Sequence, residues 1–182
     1  MPCDAATFAV KAARVRLLLF DVDGVLTDGR ILLSGDGSES KQFSIRDGTG
    51  IVWAQRAGLA TGILSARHSP ATAVRAAQLG IRIVRQHAGE KLEMYEDLLR
   101  QEGLTSEQVA FMGDDLLDLP VLSRVGLSAA PADGAPDVRA RVDWVSARPG
   151  GDGAARELIE SILVAQGRWE DLLRSYLPPG AP

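Results

Sequence analysis

Acidic residues follow two apolar segments of the chain, and their types and spacing suit metal-dependent chemistry. The apolar segments are residues 17–20 and 109–112. Each leads directly into carboxylates: Asp21 and Asp23 after the first, and Asp114, Asp115 and Asp118 after the second. Two carboxylates two residues apart can face one pocket where the chain turns. Acidic residues also end strands as ordinary turn formers, so neither segment alone is decisive.

Crowded carboxylates indicate a bound cation. Without one they repel each other, and each raises the pKa of its neighbours. A hard divalent cation removes that penalty, and Mg²⁺ takes a few carboxylate or carbonyl oxygens while keeping several waters. We therefore predict a magnesium site formed by these acidic residues.

A hydroxyl and an ammonium group lie between the two acidic motifs. Ser65 follows the apolar segment 60–64, with Arg67 close behind, and Lys91 begins a predicted helix. Taken singly, Ser65 also fits a cap and Lys91 a solvated helix position. The order of the four features along the chain is more informative than any one of them.

The elements that must position these residues alternate between strand and helix. After a strand at 17–20, a Gly/Asp/Ser cluster predicts a hairpin within 29–44. The further elements are helices at 47–56, 70–80, 91–101, 116–122, 154–166 and 169–176 and strands at 60–64, 82–84, 108–112, 127–129 and 144–145. Such alternation predicts a three-layer, Rossmann-like α/β fold with a mostly parallel sheet, which binds ligands at the carboxyl ends of its strands.

Composition and length narrow the class of protein. The chain has 182 residues, 46% of them hydrophobic, and a net charge of −4 without a basic block, so we expect no nucleic-acid partner. One cysteine excludes an internal disulfide framework, and no apolar run could span a membrane. We predict one cytoplasmic domain over residues 1–182, with flexible ends at 1–13 and 178–182. We expect no cap domain, because the hairpin insertion is too short to form one.

The order strand–DxD, strand–Ser, Lys, strand–GDD resembles the haloacid dehalogenase superfamily of phosphotransferases across residues 16–118. The resemblance implies a phosphatase reaction through an aspartyl-phosphate. In it, Asp21 is the nucleophile, Asp23 is the general acid and base, Ser65 binds a phosphate oxygen, and Lys91 pairs with the phosphate and with Asp21.

The same resemblance implies the ligands of the metal. Mg²⁺ would be held by a carboxylate oxygen of Asp21, the backbone carbonyl of Asp23 and the carboxylate of Asp114. Asp115 and Asp118 would orient the waters of the metal.

Longer segments point to a narrower family. The chain reads DVDGVLTDG at 21–29, SIRDGTG at 44–50, GDDLLD at 113–118 and GGDGAARELIESILVAQG at 150–167. It resembles the 3-deoxy-D-manno-octulosonate 8-phosphate phosphatases, capless enzymes of lipopolysaccharide biosynthesis that form homotetramers in which neighbouring subunits help to close each active site. The glycine-rich stretch 150–153 also fits a flexible helix start.

The resemblance implies a substrate site for a phosphorylated sugar acid. Its members are Asp23, Ser44, Ile45, Arg46, Asp47, Gly48, Arg67, Arg75 and Lys91. Arginines suit a substrate with a phosphate and a carboxylate, because each guanidinium can bind either group in a fork. Arg46 and Arg75 equally fit solvated helix positions.

Two departures from the family pattern bear on the substrate. Ser65-Ala66-Arg67 stands where the family usually has threonine-glycine-arginine, so the hydroxyl group is retained by serine. Val52 stands where the family commonly has an arginine. The alternatives are therefore phosphatases for a nine-carbon sugar acid 9-phosphate (N-acylneuraminate or its deaminated analogue) or for another small sugar phosphate.

Two non-enzymatic alternatives remain. A phospho-acceptor signalling domain also uses carboxylates, a hydroxyl and a lysine, but there the acidic pair precedes the acceptor aspartate. An inert scaffold of this fold would require loss of Asp21, Asp23, Lys91 or Asp114, and all four are present.

Overall fold

The computed structural model describes residues 2–86 and 90–178, which fold around a six-stranded parallel sheet with a separate hairpin. The strands are β1 (Leu17–Phe20), β2 (Leu32–Leu33), β3 (Glu39–Ser40), β4 (Ala60–Ser65), β5 (Ile83–Gln86), β6 (Val109–Met112), β7 (Leu127–Ala130) and β8 (Trp144–Val145). In the main sheet the order is β5-β4-β1-β6-β7-β8, while β2 and β3 pair only with each other.

Eight α-helices surround the sheet in the described part of the chain. They are α1 (Ala5–Arg14), α2 (Ile45–Arg56), α3 (Pro70–Gln78), α4 (Lys91–Glu102), α5 (Leu119–Leu122), α6 (Pro136–Arg139), α7 (Ala154–Ala165) and α8 (Trp169–Arg174). Short 3₁₀ helices at Ser106–Gln108 and Leu116–Asp118 precede β6 and α5.

The central strands are buried on both faces, so the core has two halves. Along β1, Leu18 and Phe20 pack on the side of α1, α2, α3 and α7, while Leu17 and Leu19 pack on the side of α4, α5 and α6. This alternation follows from the two-residue period of a strand. The predicted three-layer α/β fold with a mostly parallel sheet is confirmed.

Strand register brings the predicted motifs to one edge of the sheet. Phe20, the last residue of β1, pairs with Ile63 of β4 and Met112 of β6. The residues that follow these positions include Asp21, Ser65 and Asp114, which therefore emerge side by side at the carboxyl ends of three adjacent strands.

The N-terminal segment differs from the expected flexible end. Residues 5–14 form α1, which packs against α7 and buries Ala12. Asp4 caps the helix by accepting a hydrogen bond from Thr7 N, and Lys11 and Arg14 lie in the last turn, where cations are favoured. Of the expected C-terminal flexible end, 178–182, all but Pro178 lies outside the described residues.

The hairpin is shorter, and α2 longer, than the sequence predicted. The second strand lies at Glu39–Ser40, so the hairpin ends before the predicted limit at residue 44. Ser44 is instead the N-cap of α2, its hydroxyl accepting a hydrogen bond from Asp47 N at 3.3 Å, and Phe43 packs against the core. Helix α2 therefore begins at Ile45, two residues before the predicted start.

Candidate active site

Three carboxylates and one ammonium group meet at the carboxyl ends of β1 and β6. Oxygens of Asp21, Asp114 and Asp118 all lie within 4.8 Å of one another. Lys91, the first residue of α4, places its Nζ 2.9 Å from Asp21 Oδ1 and 2.5 Å from Asp118 Oδ1. Both ion pairs are buried, which strengthens their electrostatic interaction relative to water.

Two glycines allow this close approach. Gly24 has a φ of +94°, and a Cβ there would lie 2.1 Å from Asp114 Oδ2. At Gly113, a Cβ would lie 2.5 Å from Asp118 Cβ. Only glycine fits either place, which explains why each acidic motif contains one.

Asp118 organises the second acidic loop. Its Oδ2 accepts hydrogen bonds from Asp114 N at 2.9 Å and Asp115 N at 3.2 Å, while Oδ1 faces Lys91. The Asp118 carboxylate therefore orients both the loop and the lysine. The Asp115 carboxylate accepts a hydrogen bond from Leu116 N. Asp115 also lines a cavity that it shares with the three carboxylates of the cluster.

The buried carboxylates hold protons more tightly than isolated ones. Burial raises the pKa of Asp21 to about 6, with the charge of Asp118 adding to the rise and Lys91 opposing it. Burial, followed by the charges of Asp21 and Asp118, raises the pKa of Asp114 to about 7. Burial acts to lower the pKa of Lys91, but Asp21 and Asp118 outweigh it and raise that pKa above its usual value.

The donor set fits a hard divalent cation. Asp114 Oδ1 is buried without a hydrogen bond, whereas the buried Asp21 Oδ1 has Lys91 Nζ 2.9 Å away as its ion-pair partner. Orphaned buried oxygens are costly unless something compensates them. Oxygens from several carboxylates are the ligands that Mg²⁺ prefers, so the cluster is suited to the predicted ion.

Asp23 has two cationic neighbours, one of which the sequence analysis missed. Lys41, just after β3, forms an ion pair and hydrogen bond with Asp23 Oδ1, and Arg67 Nη1 lies 3.7 Å from Asp23 Oδ2. Glu39 contacts both cations, with an Oε1 to Lys41 Nζ distance of 3.4 Å. The signal that could have found Glu39 and Lys41 is their two-residue spacing in the predicted hairpin, which places both on one face.

A cavity of about 320 Å³ joins these groups. Its lining includes Asp21, Asp23, Ser65, Arg67, Lys91 and Asp114. Ser65, at the end of β4, is buried, and its Oγ accepts a hydrogen bond from Arg67 N at 3.3 Å. All the predicted catalytic and metal-binding residues therefore surround one cavity.

Part of the predicted sugar-contacting stretch lies in neighbouring cavities. Ser44 and Ile45 line a cavity of about 510 Å³ together with the glycine-rich segment at 150–151. Arg46 is exposed and lines a third cavity beside Arg148 and Arg156.

Asp47, which was predicted to contact the sugar, is buried against the start of α7. This residue is 2% exposed, and its carboxylate accepts hydrogen bonds from Gly153 N at 3.1 Å and Arg156 N at 2.8 Å. Burial raises its pKa, against the lowering effect of those two hydrogen bonds. Asp47 therefore caps the N-terminus of α7 from another helix.

Gly48 and Arg75 are also placed by packing. A Cβ at Gly48 would lie 2.4 Å from Arg75 Nη2. That same nitrogen donates a 3.4 Å hydrogen bond to the carbonyl oxygen of Ser44. Arg75 therefore supports the start of α2 and is not among the residues that line the carboxylate cavity.

The chain is similar to known phosphatases along most of its length. The haloacid dehalogenase-like hydrolase family matches residues 58–158. The 3-deoxy-D-manno-octulosonate 8-phosphate phosphatase KdsC of Escherichia coli (strain K12) is 41% identical over 167 residues, covering 92% of this chain and 89% of that relative.

The chain also resembles solved structures of phosphatases along most of its length. A 3-deoxy-D-manno-octulosonate 8-phosphate phosphatase from Moraxella catarrhalis, in complex with magnesium ion, phosphate ion and a KDO molecule, superposes with a TM-score of 0.93 at 32% identity, covering 96% of this chain and 100% of that chain. The cobalt-bound phosphatase YrbI from Haemophilus influenzae gives a TM-score of 0.87 at 39% identity, covering 92% and 99%.

Proposed function

The chain belongs to the haloacid dehalogenase-like hydrolase family and is a phosphatase, and from that premise we propose that it hydrolyses 3-deoxy-D-manno-octulosonate 8-phosphate to the free sugar acid and phosphate. The observation that carries the proposal is the buried Asp21–Lys91 ion pair beside Asp114, in a cavity that Asp23 and Ser65 also line. The cavity therefore brings together a nucleophile, a general acid and base, and a cation site.

The proposed chemistry has two steps. An Asp21 carboxylate oxygen forms a bond to phosphorus while the bond from phosphorus to the sugar oxygen breaks, and the leaving oxygen takes the proton of the Asp23 carboxyl. Water then attacks the phosphorus of the aspartyl-phosphate and gives a proton to Asp23, which releases phosphate and the Asp21 carboxylate. Each proton that Asp23 donates is thus recovered within one turnover.

The surrounding residues stabilise the charge that develops on the transferring phosphoryl group. Lys91 Nζ holds Asp21 in place and can also contact a phosphate oxygen, and the Ser65 hydroxyl can donate to another. Asp21, the Asp23 carbonyl and Asp114 would hold Mg²⁺, which the Moraxella relative contains. When bound, the ion shields the nucleophile from the negative charge of the phosphate.

Recognition of the sugar acid is proposed for cationic and polar groups at the cavity mouth. Arg67 lines the catalytic cavity, and its guanidinium can bind a carboxylate or phosphate in a fork. Ser44, Ile45 and Arg46 lie farther along the same surface, in the neighbouring cavities. The presence of KDO in the Moraxella relative supports this substrate class.

We also propose a cytoplasmic homotetramer. Large apolar side chains are exposed around the active-site hairpin, including Leu32, Leu33 and Ile45, as expected of a surface that a second copy covers. In residues 2–86 and 90–178, no helix is long and apolar enough to cross a bilayer.

The test is steady-state phosphate release from a panel of sugar phosphates, with Mg²⁺ and with EDTA. The panel includes the eight-carbon acid 8-phosphate and nine-carbon acid 9-phosphates, because Val52 replaces an arginine of the family pattern. We expect Mg²⁺-dependent preference for the eight-carbon acid. Preference for another phosphate would change the proposed substrate but not the proposed reaction. No phosphate release from any substrate would contradict the proposal.

A further inference from the structure

Lys41 is a buried ammonium group that the mechanism above does not use. Its side chain is 1% exposed although it comes from the hairpin, the least enclosed part of the sheet structure. Lysine is rarely so buried unless its charge is paired, because desolvation of an unpaired ammonium is costly. The partners of Lys41 must therefore account for its position.

Both partners of Lys41 are carboxylates, and one of them, Asp23, lines the catalytic cavity. One is Asp23 Oδ1, which the ammonium contacts directly, and the other is Glu39 Oε1 at 3.4 Å. Asp23 and Lys41 are 18 residues apart, so the contact joins the first acidic loop to the far arm of the hairpin.

Glu39 fixes the hairpin to the main sheet. Its Oε1 accepts a 3.0 Å hydrogen bond from Ser69 Oγ, and its Oε2 pairs with Arg67 Nη2, both just beyond β4. Glu39, fixed in this way, holds the ammonium of Lys41 against Asp23. The result is an ammonium group at a fixed place against one oxygen of Asp23.

We propose that Lys41 is a positioning residue that holds one oxygen of the Asp23 carboxyl, so that the other faces the leaving oxygen of the substrate. The proposal rests on the acid/base role proposed above for Asp23. Proton donation requires hydrogen-bond reach to the leaving oxygen, and a carboxyl free to rotate would spend much of its time misdirected. Lys41 acts through Asp23 and has no separate contact with the reacting atoms.

The test uses aryl phosphates whose leaving groups differ in need of a proton. Phenolate is a poor leaving group that depends on the acid, whereas p-nitrophenolate departs with little help. We compare kcat/KM for phenyl and p-nitrophenyl phosphate in the wild type, Lys41→Met, Lys41→Gln and Lys41→Arg. Neither substrate has a sugar, so effects on sugar recognition do not enter.

Positioning predicts an uneven loss. Lys41→Met and Lys41→Gln should lower kcat/KM for phenyl phosphate at least about tenfold more than for p-nitrophenyl phosphate, within the 10²–10⁴ range of general acid catalysis. Lys41→Arg should recover most of the difference, because it restores a cation to Asp23. Equal losses on both substrates, or no loss in the Met and Gln variants, would overturn the proposal.

Two controls separate the possible failures. Lys11→Met removes a lysine–aspartate ion pair with Asp143, remote from the cavity, and should leave the ratio of the two rates unchanged. Asp23→Asn should itself produce the uneven loss. If Asp23→Asn does so and the Lys41 variants do not, Lys41 is not a positioning residue. If Asp23→Asn does not, the acid/base assignment of Asp23 fails, and the inference about Lys41 fails with it.

Discussion

At the scale of single residues, the cavity holds more negative than positive charge. Asp21, Asp114 and Asp118 share Lys91 as their one close cation among the described residues. Such an arrangement is unfavourable in the metal-free protein and becomes favourable when a divalent cation is added. Burial and, after it, these neighbouring carboxylates raise the pKa of both Asp21 and Asp114.

The first prediction concerns stability and pH without metal. The pKa of Asp114 is about 7 when folded and near 3.8 when unfolded. The folded state therefore binds more protons in that interval, and its stability falls as pH rises from about 4 towards 7, then levels off. We expect a higher Tm in EDTA at pH 5.5 than at pH 8, by thermal unfolding.

Magnesium and one substitution provide the controls for that prediction. Saturating Mg²⁺ at pH 8 should raise the Tm, because the ion binds only the folded state. Asp114→Asn should shrink both the pH difference and the effect of Mg²⁺. An unchanged response to Mg²⁺ in this variant would exclude Asp114 as a ligand.

A second prediction concerns Asp23. Asp23→Asn keeps the size and backbone carbonyl of the residue, so Mg²⁺ and inorganic phosphate should still bind, as isothermal titration would show. Turnover of the sugar phosphate should fall about 10²–10⁴-fold, because the proton donor is lost. Near-normal turnover would remove Asp23 from the acid/base role.

At the scale of elements, Asp47 joins the start of α2 to the start of α7. Its carboxylate supplies acceptors for two backbone N–H groups that α7 cannot satisfy itself. The preceding glycines at 150 and 151 approach the first acidic loop so closely that a Cβ at Gly150 would lie 1.8 Å from the carbonyl oxygen of Gly24. This contact therefore stabilises the loop that carries the nucleophile.

A third prediction follows for Asp47→Ala. The variant leaves two buried donors without partners and should lose about 1–3 kcal/mol of stability, measured by denaturant unfolding. KM for the sugar phosphate should change little. Arg46→Ala, the exposed neighbour, is the matched control, with unchanged stability and a raised KM for the sugar acid. A raised KM with full stability in Asp47→Ala would instead support the predicted contact between Asp47 and the sugar.

The sequence predicted most of the strands and helices, though not α1 or α6, and it predicted that the motif residues would lie together, because both rest on local patterns. Each strand that carries chemistry is a short apolar run ending in polar residues, and Asp21, Ser65 and Asp114 needed only adjacency of those strands to meet. Asp47 and Lys41 could not be assigned in this way. Their partners lie 106 and 18 residues away. The two-residue spacing of Glu39 and Lys41 indicates a shared face of the hairpin, but only packing determines which carboxylate Lys41 meets across the site.

At the scale of the whole molecule, large apolar side chains are exposed on the hairpin and at the active-site cavity. Leu32 and Leu33 are 69% and 68% exposed on the hairpin, and Leu117 is exposed at the cavity itself. Water contact with so many large apolar groups is unfavourable, and association of chains would remove it.

A fourth prediction tests association at that surface. Leu32→Asp with Leu33→Asp should convert the proposed tetramer into smaller species, measured by light scattering after size-exclusion chromatography. The control is Val10→Asp on α1, 58% exposed and away from the hairpin, which should leave the mass unchanged. A wild-type monomer would contradict the proposed assembly directly.

The hairpin has a further consequence for how new enzymes arise from this scaffold. Because the backbones of β2 and β3 pair only with each other, residues 31–42 can change in length and composition, apart from Glu39 and Lys41, while the main sheet keeps every strand pairing. Evolution can therefore vary the surface that the hairpin presents beside Asp23 without disturbing the strand pairing of the fold. A combinatorial library restricted to this segment, with Glu39 and Lys41 retained, should contain mostly folded members.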